Sequence, residues 1–232
     1  VAIYSIDSVA NNVITLTVAA PAIGNDGTAI CLLPDRSIER TSAGPCVMVD
    51  GVRGVALDGW YLETSTGAGC DGIYITGGGK ATIQNMCAYP EDRGIYVSGE
   101  FSVGNADDGA VSVWDAARAY WTQQSTQIIA RYAVAIKPGA YGFYANAFAY
   151  LEAPYSIVIG STTGYYATEH ASLYAAYATA RQCTTGYLAY YNAFLQAAGT
   201  NANNNGNTAD YSPAPSIPGS AEGNHYGVLY AS

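Results

Sequence analysis

Charge is scarce in this chain. Only 12% of its residues are charged, about half the usual share. The nine Lys and Arg form no basic run, and the net charge is −9. Phosphate neutralisation needs clustered cations, so nucleic acid is excluded as a partner. An anionic membrane surface is disfavoured for the same reason. No apolar stretch reaches the roughly 18–20 residues that span a bilayer, so no membrane insertion is expected. No signal peptide is visible, and the opening at Val1 rather than Met is read as processing or as a piece of a longer chain. Histidine is nearly absent: there are two, His170 and His225. None of the five cysteines (Cys31, Cys46, Cys70, Cys87, Cys183) sits in a C-x-x-C pair. No metal site is therefore expected, and no cofactor is called for. The cysteines read first as small buried apolar residues, with a Cys46–Cys70 bridge between neighbouring coils as the alternative. There is no G-x-S-x-G elbow. Gly77-Gly78-Gly79-Lys80 lacks the Walker spacing and reads as a corner.

What the chain has in quantity is glycine (26), tyrosine (21) and repetition. Gly72-Ile73-Tyr74-Ile75-Thr76 returns as Gly94-Ile95-Tyr96-Val97-Ser98, 22 residues on. Gly142-Phe143-Tyr144-Ala145 returns twice at the same step of 22, as Gly164-Tyr165-Tyr166-Ala167 and as Gly186-Tyr187-Leu188-Ala189. Leu151, Leu173 and Leu195 keep that step, and Tyr132–Ile136 matches Tyr155–Ile159 at 23. Self-similarity at roughly 20–25 residues in short β-type segments is the mark of a solenoid. Helical crossovers are missing, the period is too short for a propeller, and the leucine-rich pattern is absent. The fold expected is all-β: a right-handed parallel β-helix of three short strands per coil, coils about 4.8 Å apart. The Ala-rich run 171–178 has helical propensity, but the repeat register overrides it in favour of strand.

Three segments follow. Residues 1–45 read as an N-terminal hairpin and capping segment, with strands flanking Asn11-Asn12, a turn at Gly24–Gly27 and a short strand at 29–33. Residues 46–198 read as the β-helix, less regular over 99–131, with a loop from Gly99 to Gly109. Residues 199–232 read as an Asn/Pro-rich C-terminal cap or inter-subunit tail, with Gly227–Tyr230 as a last strand.

The stacked Gly-Ile-Tyr-Ile-Thr and Gly-Ile-Tyr-Val-Ser blocks resemble right-handed parallel β-helix proteins of the pectin-lyase-like group. The ending Asn205-Gly206-Asn207-Thr208-Ala209-Asp210-Tyr211-Ser212-Pro213-Ala214 is similar to the tail ends of phage-tail and bacterial-surface members. The resemblance covers roughly residues 46–215. It implies a fold and leaves several activities open: pectin cleavage, binding or cutting of surface polysaccharide, or plain adhesion.

Strand alternation assigns faces. Ile73 and Ile75 point inward, so Tyr74 points out, and Tyr96, Tyr144 and Tyr166 with it. Leu188 completes this column, while Phe143, Tyr165 and Tyr187 form an inward stack. The outer column is read as a subunit interface, a sugar-stacking platform, or a ladder that only strengthens the sheet. Asp71 and Arg93 precede the two Gly-Ile-Tyr blocks and should pair across one rung. The resemblance implies catalytic candidates here, since pectate-cleaving relatives use Asp with calcium and an Arg base. Asp92 joins them as a carboxylate partner for Asp71. The plain alternative is an exposed ion pair of well under ~1 kcal/mol. Other acid pairs weighed for glycoside hydrolysis are Asp58 with Glu63, and Asp107 with Asp108 and Asp115. His170, in register with Phe148 and Asn192, reads as a filler of a stack.

The expected function is a non-enzymatic, self-assembling extracellular, cell-surface or virion protein, such as a fibre or phage-tail element. It would form a trimer or filament and contact surface polysaccharide. The alternative is a tailspike-like hydrolase or pectate-lyase-like lyase.

Overall fold

A computed structural model of the chain describes residues 3–10, 13–19, 36–64, 69–107, 111–199, 207–212 and 228–230. The Asn11-Asn12 and Gly24–Gly27 turns, the 29–33 segment, Cys31, Asp108, most of the Asn-rich stretch and His225 lie outside these residues. Every regular element described is a β-strand. Ile3–Ala10 and Val13–Ala19 pair antiparallel, as a hairpin requires. All other pairings are parallel and build three sheets side by side, of eight, eight and seven strands.

Each coil contributes one strand to each sheet. In one coil these are Tyr141–Asn146 in sheet one, Tyr150–Glu152 in sheet two and Ile157–Ile159 in sheet three. The Ala-rich stretch that could have been helical supplies Ser172–Tyr174 of sheet two. The stack starts before Cys46: Arg36–Arg40 already pairs in parallel with Trp60–Thr64. It also continues past Ala198, where Ala209–Ser212 and Val228–Tyr230 add rungs to sheets one and two.

Along sheet one the register steps are 26, 22, 25, 23, 22, 22 and 24 residues, through Val47, Ile73, Ile95, Tyr120, Phe143, Tyr165, Tyr187 and Tyr211. The loop expected at Gly99–Gly109 is corrected here. Val103–Asn105 is a strand of sheet two, held between Lys80–Gln84 and Gln127–Ile129. The 25-residue step from Ile95 to Tyr120 breaks the repeat in sequence without breaking it in space.

The motif glycine has a steric cause. A Cβ at Gly164 would lie 2.6 Å from the Gly186 carbonyl oxygen, and one at Gly142 equally close to that of Gly164. Only glycine permits this approach without displacing the backbone.

The core is lined by residues of all three sheets. Sheet one faces inward with Ile73 and Ile95, then with Tyr120, Phe143, Tyr165 and Tyr187, all fully buried. The last four stack at 4.5, 5.1 and 4.9 Å with planes within 7°. Along sheet two, Ile128, Leu151, Leu173 and Leu195 are fully buried, and Ile83 is followed in register by the buried Ala106, Ala130, Ala153, Ala175 and Ala197. The buried hydroxyls are satisfied. Tyr120 donates to the Val111 carbonyl at 3.0 Å, and Tyr187 to that of Ala178 at 2.8 Å. Tyr165 shares a hydrogen bond with the Ser156 hydroxyl at 3.0 Å.

Candidate functional site

The outward face of sheet one carries most of the residues singled out from sequence. Alternation sets Met48, Tyr74, Tyr96, Trp121, Tyr144, Tyr166 and Leu188 in one register column. Neighbouring rings stack: Tyr74 on Tyr96 at 4.9 Å and 10°, Tyr144 on Tyr166 at 5.0 Å and 9°. Trp121 fills the middle, 4.7 Å from Tyr96 and 5.6 Å from Tyr144. It escaped the sequence reading because the preceding step is 25 residues. The signal was present, since Tyr120-Trp121 stands 23 before Phe143-Tyr144.

This column is largely occupied by its own surroundings. Tyr96 is only 6% exposed. The Arg93 guanidinium lies 3.9 Å above its ring, and Gln123 donates to its hydroxyl. Tyr74 and Ser98 share a hydrogen bond at 3.0 Å, and Trp121 donates to Asn146 at 3.0 Å. Burial raises the phenols of Tyr96, Tyr144 and Tyr166 above their ordinary value.

Asp71 and Arg93 meet across the rung. Arg93 Nε and a terminal nitrogen donate to the two Asp71 oxygens at 2.5 and 2.9 Å. The pair is not the exposed one considered from sequence: the Asp71 side chain is 1% exposed. Burial raises its carboxyl above the usual carboxylate value, with the Arg93 hydrogen bond and charge pulling the other way. Asp92 accepts from Arg118 at 3.1 Å on one oxygen and from the Gly69 amide at 2.9 Å on the other. Arg118 also lies 4.7 Å over the Trp121 ring. Asp71, Arg93, Asp92 and Arg118 therefore form one chain of charges beside the aromatic column. Each of the four carboxylate oxygens already accepts a donor. Such a set can brace coils against each other; general acid–base work needs a carboxyl that reaches a substrate proton.

Asp58, Glu63 and Asp107, also weighed from sequence, have partners of their own. Asp58 accepts from Asn85, Glu63 from Tyr61, and Asp107 from Arg131, which also holds Glu152. Among the described residues, no group of three or more His, Cys, Asp or Glu could hold a metal ion. The Cys46–Cys70 bridge is not formed. Burial pushes the Cys46 thiol up to about 11. His170 stacks on Phe148 at 5.0 Å and 5°.

Apart from Met48 at the first rung of this column, the large exposed apolar side chains lie elsewhere. Phe101 and Phe148 stand at the corner between sheets one and two. Tyr132, Tyr155 and Tyr177 stand at the corner before sheet three, all at positive φ, stacked at 5.2 Å. Sheet three itself turns Trp114, Val134, Ile136, Ile157 and Ile159 outward.

Fold and site together define a parallel β-solenoid with a braced aromatic face. No protein-family model matches the chain, and neither curated proteins nor solved structures gave a match.

Proposed function

We propose that the chain is a non-enzymatic, self-assembling structural or adhesion element, working outside the cell, on its surface or on a virion. The observation that carries this reading is the outward face of sheet three. Val134, Ile136, Ile157 and Ile159 form two adjacent apolar register columns over two coils, extended by Trp114 on one side and ended by Thr179 and the exposed Arg181 on the other. Ile157 is 37% exposed, and the stacked Tyr132, Tyr155 and Tyr177 border the strip. The strip runs along the solenoid axis from Trp114 to Ile159, so a second copy laid alongside buries it over three coils. Contiguous apolar surface of this kind is the usual mark of an interaction site. A homo-oligomer, as trimer or filament, is the assembly proposed.

Polysaccharide cleavage has less support. The sealing of Asp71 and the full engagement of Asp92 favour a bracing role for the acids of sheet one. Adhesion to a surface glycan remains compatible with assembly, because the two would use different faces. The test is the sedimentation behaviour of Ile157→Lys beside the unaltered chain. A lysine on the strip is expected to release smaller species. An unchanged distribution would remove sheet three as the interface.

A further inference from the structure

The corner between sheets one and two is a ladder of left-handed residues. Gly78, Phe101, Ser125, Phe148, His170 and Asn192 all have φ between 58° and 78°. Each lies two residues before the register column Lys80, Val103, Gln127, Tyr150, Ser172 and Phe194, so they stack one per coil. Phe148 rests flat on His170 at 5.0 Å and 5°, which lays its ring across the solenoid axis and turns the other face toward Ser125. Phe101, on the far side of Ser125, is 73% exposed, and Phe148 is 67% exposed. Ser125 is too small to fill its rung. A cleft of about 500 Å³ opens there, walled by the two phenylalanines and floored by Lys80, Ser125, Gln127 and Tyr150.

We propose that this cleft binds a saccharide, one pyranose ring taking the place of the missing rung. Phe101 and Phe148 are two coils apart, about 9.6 Å at the usual strand spacing. A ring midway lies about 4.8 Å from each, inside the range of ring stacking. The floor selects a hydroxylated ring over a purely aromatic one. The side chains of Lys80, Ser125 and Gln127 make no hydrogen bond to other described residues, so an ammonium, a hydroxyl and an amide stand ready for ligand hydroxyls. A pyranose offers what this cleft asks for: apolar ring faces and a polar rim. The inference rests on the adhesive half of the function proposed above and is independent of assembly.

The test is calorimetric titration of the full chain with hexasaccharides of α-1,4-glucan, β-1,4-glucan, chitin and polygalacturonate. At least one is expected to bind. Phe148→Ala should weaken it roughly tenfold, the loss of about one stacking contact. Ser125→Phe should abolish binding by filling the gap, with an unchanged thermal melt, since the corner carries Phe in the coils on either side. If Ser125→Phe does not fold, Phe148→Ala decides. Absence of millimolar binding to all four, or binding that Phe148→Ala leaves unmoved, overturns the proposal. Light scattering on the same samples separates the two readings: a monomer that binds saccharide removes assembly and leaves the cleft.

Discussion

Glycine in this chain answers to two different constraints, and they separate experimentally. Gly164 has ordinary backbone angles but no room: its Cβ would press on the Gly186 carbonyl and on Ala180. Gly160 has room but sits at φ +73°. Gly164→Ala is expected to cost about 1–3 kcal/mol through forced backbone shifts, and Gly160→Ala about 1 kcal/mol through strain alone. Urea melts of the two variants measure the difference. Tyrosine gives the second prediction at this scale. Burial raises the Tyr120 and Tyr165 phenols above their ordinary value of 10. A raised folded-state value means that the unfolded chain ionises first. The stability is whole below pH about 10 and is lost as pH climbs toward the folded-state values. Phenolate absorbance should therefore appear in one cooperative step with unfolding above pH about 10, and Tyr165→Phe should soften that step. Smooth, non-cooperative ionisation would contradict the buried stack.

Between coils, the unit of stability is the cross-rung contact. Arg93 is the hinge of the charge chain on sheet one, since it holds Asp71 and covers Tyr96. Arg93→Met leaves Asp71 sealed without its counter-charge. The expected loss is about 3 kcal/mol at pH 7. It should shrink as the pH falls, because the raised Asp71 carboxyl then takes up a proton and the uncompensated charge disappears. Urea melts at pH 7 and pH 4 test this; an equal loss at both would place the effect in packing over Tyr96.

The same scale shows what was legible beforehand. Gly72, Gly94, Gly142 and Gly164 announced the coils because a Cβ at each would press on the carbonyl of the next coil, while the coil that carries Ala119 at this register position broke the motif. The Asp71–Arg93 contact was readable from a shared step of 22, but its burial was not, since the cover comes from other coils. Arg118 and Trp121 stayed hidden behind three extra residues in one coil. The Phe101–Phe148 cleft was invisible because the informative residue there, Ser125, is small and unremarkable in sequence. Only the stack reveals that it interrupts a ladder of rings.

At the scale of the molecule, the described core is apolar on all three walls while the three outer faces differ. Sheet one is braced by its own arginines, the corner beside sheet two holds a cleft, and sheet three presents a short apolar strip that ends at Arg181. A solenoid stabilised by nearest-neighbour contacts gains little from such asymmetry; the proposed assembly would give the apolar strip a use. The most direct measurement is the native mass of the purified chain by light scattering over a concentration series. Self-association through sheet three predicts a mass at a multiple of 24.2 kDa that rises or holds as concentration increases. A constant mass of 24.2 kDa up to the highest concentration reached would contradict it.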